Sequence, residues 1–533
     1  MKSVKIIVSV AFIILTALML SIKCSKDKSI EPSSTSAKWT ILVYAAGNTY
    51  MDSTMDGRSY CLSDIQAIEN VGSSADVNVI AMLSSLHTSG IAKYYKIEQF
   101  NDSANVISSP ILENLGGRNM ADAITLKDFL LYGMRNFPAE NYMLLIDGYG
   151  VGWPGSCRDD INGGGALMPA TDMANAIEEA LAESSTPRLK IMAFYSQLMG
   201  MTEVAYELRN CADWLVASEI TSPMQNMLMP QNWLTPLVSD PGITDSLLAI
   251  NFAQAVLNGG NNEGRLAQIA VVNLLRIPRL AELAGNFGRN LFLNSGQYWN
   301  YVLEARDDSH RDEIDYPAYV DLYDFLDHIY DSGHLHDIQY VQAYYDSLND
   351  ILLSTIPFSG ITYGYPIRKG LAIHLPATRE LYDSTNYAGL DFNNLGWNHF
   401  VSNFISMAEG SGLPTTISGT VTSPDQPLSD HAYVIADTFH VPNHYPLDSS
   451  LVDPTTGNFR INMNILDSIA FAFEAWDDIN QDGRRNYGDG YGFWDRDGDN
   501  QWDPASHDQI WAHPGQNITD INIRIQTIYP KDR

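Results

Sequence analysis

Residues 142–153 read YMLLIDGYGVGW, and residues 190–219 read KIMAFYSQLMGMTEVAYELRNCADWLVASE. Each opens on a short continuous apolar run, the pattern of a strand buried on both faces of a parallel sheet. The first run breaks at a Gly-rich turn, and the second passes into a helix-like stretch. Working outward, Lys38–Ala46 (KWTILVYAA) and Asp76–Leu86 (DVNVIAMLSSL) read as two further strands of the same kind. Between them Leu62, Ile65 and Ile68 fall at helical spacing, with Gly72 as a stop. Thr125–Phe137 and Asp172–Leu181 also read as helices. Strands alternating with helices predict βαβ units and a mainly parallel sheet covered on both faces.

The two quoted segments resemble the clostripain family of cysteine peptidases. In that family the first strand ends in a His-Gly-x-Gly-Trp turn and the second in Asp-Ala-Cys-Leu-Met. The matching letters here are Tyr149-Gly150-Val151-Gly152-Trp153 and Tyr195-Ser196-Gln197-Leu198-Met199. LGGRNMADAITLKDFLLYGMRNFPAENY, DLYDF at 321–325 and GLAIHLP at 370–376 are similar to further family landmarks, so the resemblance runs over roughly residues 38–408. It implies a caspase-like α/β/α sandwich with its site at the carboxyl ends of the strands. It also implies that Tyr149 stands at the histidine position, Gln197 at the cysteine position and Tyr195 at the position of an aspartate.

Those three letters remove the family chemistry. Peptide hydrolysis of this type needs a thiolate nucleophile and an imidazole serving first as base, then as acid. A glutamine amide supplies no nucleophile, and a tyrosine titrating near 10 is a poor base at neutral pH. No histidine occurs between His87 and His310, and both site strands lie within that gap. Cys157 lies eight residues past Tyr149 and Ser196 adjoins Gln197, and neither has a base close in sequence. Cys157 reads as a loop thiol and Ser196 as a strand-end polar group. His87 or His374 would have to fold back to serve, and His374 reads as structural. The expectation is a pseudopeptidase that binds peptide or protein, or acts as a scaffold. Its rivals are an active cysteine endopeptidase with relocated residues and a calcium-dependent surface glycan-binding protein.

Composition bounds the rest. The chain has 533 residues, 45% of them hydrophobic, and a formal charge of −31. That field repels nucleic acid. Lys2 and Lys5 precede an apolar run from Ile6 to Ile22 and then Cys24, which reads as an export signal over 1–24. The junction resembles that of a bacterial lipoprotein, with Cys24 lipidated and a Ser-rich linker at 25–37, although Lys23 replaces the usual small residue. An ordinary cleaved signal and an uncleaved anchor are the alternatives. The localisation expected is the cell envelope or outer membrane, or otherwise secretion. Of four cysteines, Cys61, Cys157 and Cys211 remain in the body, enough for at most one internal disulfide.

After residue 409 the texture changes to short alternating runs with turns between them, predicting an all-β sandwich over 414–530. Within it Asp478, Asn480, Asp482, Arg484, Asn486 and Asp489 stand at positions 1, 3, 5, 7, 9 and 12 of a calcium-type loop, with Gly483 at the sharp turn. Asp495, Asp497, Asp499 and Asp503 form a second acidic cluster, with Asn500 where a glycine is usual. Ten acidic residues lie between Glu474 and Asp508 against three arginines, so calcium is the expected cofactor. His334, His336 and Asp337 read as a solvated turn rather than a metal site, and the aromatics of 491–503 as caps on a small core.

Overall fold

The structure, a computed structural model, describes residues 36–53, 58–101, 106–222, 226–295, 299–311, 316–333, 339–362, 369–409, 413–440, 443–465, 469–481, 485–498, 508–512 and 517–529. A nine-stranded sheet organises the first four hundred. Its strands are β1 (Ala37–Gly47), β2 (Val77–Ser85), β3 (Ile91–Lys96), β4 (Ile111–Gly117), β5 (Ala139–Gly148), β6 (Leu189–Tyr195), β7 (Ala212–Ala217), β8 (Gln268–Asn273) and β9 (Phe358–Ile361). In space they run β9-β8-β7-β6-β5-β1-β2-β3-β4. The five central strands are mutually parallel, and both edges are finished by antiparallel strands.

Alternation along β1 shows why the sheet is sandwiched. Leu42, Tyr44 and Ala46 belong to one buried cluster, while Ile41, Val43 and Ala45 belong to another on the opposite face. The first cluster packs under the helices α2 (Ala123–Asn136), α3 (Ala170–Ser184), α6 (Ile277–Ser295) and α7 (Trp397–Glu409). The second packs under α1 (Tyr60–Glu69), α4 (Pro230–Ser239) and α5 (Asp245–Glu263). This is an α/β/α sandwich with a mainly parallel sheet.

Two elements differ from the sequence reading. The helix-like stretch after residue 198 is only the short helix Thr202–Glu207, and ADWLVA continues as β7. This strand is short and interrupted by Asp213, which pairs with Arg188 and Lys190, so it lacks the continuous apolar run that announces the others. GLAIHLP contributes Ala372–His374, which pairs with Tyr319–Asp321 outside the large sheet.

The C-terminal region is a β-sandwich. Leu413–Thr422 lies between Asn458–Ile465 and Asn517–Arg524 in one sheet. The other runs Asn443–Leu451, Ala432–His440, Ile469–Asp477, Gly490–Phe493, Gln526–Thr527. Ile417, Val434, Phe459, Ile461, Phe471, Phe473 and Ile521 fill the space between the sheets. Asn443–Leu451 escapes a sequence reading because Pro446 interrupts it. Proline is tolerated there on an edge strand, beside a register shift at Ala436/Asp437. Among the described residues no helix is long and apolar enough to cross a membrane. Cys24 and the apolar run before it lie outside the described residues.

Candidate functional site

β5 and β6 are adjacent and parallel, with Asp147 opposite Tyr195. Tyr149 and Gln197 each follow two residues later, so the sheet brings them side by side at its carboxyl edge. The Tyr149 hydroxyl lies 3.5 Å from that of Tyr316. Leu198 turns the chain at φ 65, and its N–H donates to the Ile220 carbonyl at 3.2 Å. At the far end of the glycine turn, Trp153 packs edge-on against the His374 and Tyr387 rings.

Tyr149, Tyr195 and Gln197 all line one cavity of about 180 Å³, together with Asp52, Asp64, Asp147, Cys61 and Ser222 among others. Tyr195 is committed to structure, because its buried hydroxyl accepts the Met227 N–H at 2.8 Å. The charge in the cavity comes from residues that the sequence did not single out. Asp52 is clamped by the start of α1, accepting from Cys61 N at 2.8 Å and from Ser59 Oγ at 2.5 Å. Ser59 caps the same helix by accepting from Leu62 N. Asp64 sits one turn into α1, and Asp147 is the penultimate residue of β5. All three carboxylates are at least nine-tenths buried.

Three acids in one low-dielectric space disfavour ionisation. Burial, followed by the Asp52 charge, raises Asp147 to about 8. Burial raises Asp52 to about 6, against the hydrogen bonds that hold its anion. Asp64 is pushed upward by burial and by Asp147 and Asp52. Asp147 Oδ2 has no hydrogen-bond partner among the described residues. The only sequence signal was DG before Tyr149, which reads equally well as a turn.

The groups that could replace a missing dyad are not placed to do so. Cys157 is fully buried at φ 57, and burial pushes its thiol to about 12. Ser196 is buried, with no partner for Oγ among the described residues. Cys61 does line the cavity, but burial and the Asp147 and Asp52 charges hold its thiol in the neutral form. His87 is exposed on the turn after β2, close enough to Asp52 to favour its anion, and is not among the lining residues. His374 is buried inside a ring of Trp153, Tyr319, Tyr382 and Tyr387, and burial drops it to about 3. Cys61, Cys157 and Cys211 are all free thiols. The arrangement supplies a neutral, hydrogen-bonding mouth over an acidic floor, without a thiolate–imidazole pair.

In the C-terminal loops the structure brings Asp495 and Asp497 together with Asp508, each offering a carboxylate oxygen within 4.8 Å of the others. Asp508 was not anticipated; it stands twelve positions after Arg496, whose N–H it accepts at 2.8 Å. In the first loop, Asp489 is turned inward, accepting from Asn486 N, Ile479 N and Trp476 Nε1. Asn480 Nδ2 donates to Asn486 Oδ1 at 2.9 Å, and Asp478 is buried. Asp482, Arg484, Asp499, Asn500 and Asp503 lie outside the described residues, as do His334, His336 and Asp337.

The Clostripain family description matches residues 49–403. No curated protein matches the chain. Among solved structures, a secreted C11 cysteine protease from Bacteroides thetaiotaomicron, "iotapain", superposes with a TM-score of 0.53 at 16% identity, covering 68% of this chain and 99% of that one. An inactive zymogen C11 protease from Parabacteroides distasonis gives a TM-score of 0.49 at 18% identity, with the same coverage. The family match takes in both Tyr149 and Gln197, and the chain belongs to the clostripain family.

Proposed function

We propose that this clostripain-family protein is an exported pseudopeptidase that holds peptides in its cleft without hydrolysing them. The observation that carries this reading is the pairing of Tyr149 and Gln197 at the mouth of the acidic cavity. Neither side chain can attack a carbonyl or relay a proton at neutral pH. The cavity floor suits a basic side chain, since an ammonium or guanidinium would draw Asp147, Asp52 and Asp64 into their ionised forms. Export is supported by the basic-then-apolar N-terminus, with Cys24 as the point of lipid attachment to the cell envelope. Calcium bound through the C-terminal acidic loops, Asp495, Asp497 and Asp508 foremost, would stabilise the β-sandwich.

Fluorogenic peptides with Arg or Lys before the reporter bond, offered to the purified protein with calcium present, test the reading. No turnover above background is expected, and the same peptides should bind with an affinity that falls in Asp147→Asn. Turnover that survives repurification and is abolished by a thiol-alkylating reagent would overturn it.

A further inference from the structure

Three carboxylates meet in the cavity at the carboxyl edge of the large sheet, and they are not equivalent. Asp52 has a donor on each oxygen, Cys61 N on Oδ1 and Ser59 Oγ on Oδ2. Its carboxylate also sits at the start of α1, where the free amides of a helix end favour an anion. Asp147 lines the same space from β5, and its Oδ2 has no hydrogen-bond partner among the described residues. Asp64 completes the floor from within α1. The cavity therefore holds one supported anion beside two further acids.

The groups that face these acids supply no positive charge. Among the described residues no lysine, arginine or histidine lines the cavity, and His87 acts on Asp52 from outside it. Burial keeps the Cys61 thiol of α1 and the Tyr195 phenol of β6 neutral. Cys157, within range of the Asp147 charge, is also kept neutral by burial. Tyr60 and Tyr149 supply only hydroxyls. An empty cavity of this kind favours protons on Asp147 and Asp64, and burial accordingly raises both. A cation entering it reverses that preference, because a buried charge is tolerated only beside an opposite one.

We propose that the cavity takes up a basic side chain in exchange for protons from its carboxyl groups, so that acid empties the cleft and neutral pH fills it. This regulation rests on the cleft being the peptide-binding site proposed above. In the exchange the O–H bond of the Asp147 carboxyl breaks, its proton leaves to solvent, and the carboxylate accepts an N–H of the ligand cation. No covalent bond to the ligand forms. Because the ligand favours the ionised carboxylate, affinity climbs as pH rises, by about tenfold per pH unit for each proton released. The window lies between the values of Asp52 and Asp147, about 6 and about 8.

Calorimetric titration of the full protein with acetyl-Ala-Ala-Lys amide, in buffers of differing ionisation enthalpy, counts the protons. The norleucine counterpart keeps the carbon chain and lacks the charge. The lysine peptide should release close to one proton at pH 7 and bind about tenfold or more tighter at pH 8 than at pH 6. The norleucine peptide should do neither. Asp147→Asn should lose at least half of the release; its melting curve reports whether it folds, and the parent's proton count stands without it. Heat of lysine-peptide binding that is the same in every buffer, equal affinity at both pH values, or equal release with norleucine would each overturn the exchange while leaving the cleft a binding site. Undiminished release in folded Asp147→Asn would overturn it too. A lysine peptide that binds at no pH would overturn the exchange and the peptide-binding reading together.

Discussion

Gly150 packs on the backbone of Gln197: a Cβ placed on Gly150 would come within 2.5 Å of the Gln197 carbonyl oxygen and 2.9 Å of Met199 Sδ. The turn after β5 and the turn after β6 therefore fit together only while position 150 lacks a side chain. The methyl of Gly150→Ala would push one turn off the other and disturb the cavity mouth. Overpacking of this kind costs about 1–3 kcal/mol. Urea unfolding should show that loss, and a cost below about 0.5 kcal/mol, the level of an ordinary surface change, would mean the two turns are not in register.

The acidic cavity makes a signed prediction about pH. Asp52 and Asp147 titrate near about 6 and about 8 in the folded chain, and Asp64 is also raised. Unfolded aspartates titrate near about 3.9. The folded chain thus keeps protons that the unfolded chain has released, and stability declines as pH rises from about 4 towards about 8. The penalty is absent below the unfolded value and complete above the folded one. Melting temperature without ligand should be higher at pH 5.5 than at pH 8. General charge repulsion acts in the same direction, so the decisive comparison is with Asp147→Asn, which should flatten the decline. A slope unchanged by that substitution would place the origin elsewhere.

The cluster of Asp495, Asp497 and Asp508 supports a test for metal. Three carboxylates that close repel one another unless a cation sits between them. Chelation should lower the melting transition of the calcium-loaded protein, and readdition of calcium should restore it. Asp508→Asn should shrink that shift even though Asp508 lies outside both spaced motifs. A melting curve indifferent to chelator would exclude a stabilising ion at this cluster.

What could be read in the letters was whatever a local pattern announces. The strands through Val43, Ile80 and Ile146 are continuous apolar runs, and the helix through Leu62, Ile65 and Ile68 keeps its spacing. The positions of Tyr149 and Gln197 at strand ends followed from the same runs. The carboxylate floor did not, because Asp52, Asp64 and Asp147 come from a turn, a helix and a strand that meet only in three dimensions. Asp508 was missed for the same reason. The strand Ala212–Ala217 was hidden because it is short and carries Asp213 inside it, which breaks the apolar run that marks the other strands.

Asp159 gives the final test of how the site is held. Its Oδ1 accepts from Ile161 N, Asn162 N and Gly163 N at 2.9, 2.6 and 3.1 Å. Its Oδ2 accepts from Asn48 Nδ2 and Met120 N, both at 2.8 Å. One fully buried carboxylate thus ties the loop after β1, the approach to α2 and the glycine-rich turn at 161–165. Asp159→Ala leaves five donors facing an empty space, and Asp159→Asn turns an amide N–H towards donors already in place. Losing such a hub should cost about 3–5 kcal/mol in either variant, since buried donors stripped of a charged acceptor carry their full desolvation penalty. Because Asn48 precedes the cavity-lining Thr49 and Asp52, the pH dependence assigned to Asp147 should also weaken in whatever fraction still folds. Urea denaturation gives the first quantity and melting across pH the second. A loss under about 1 kcal/mol, no more than the net value of a single neutral hydrogen bond, would show that the loops are positioned by packing rather than by this carboxylate.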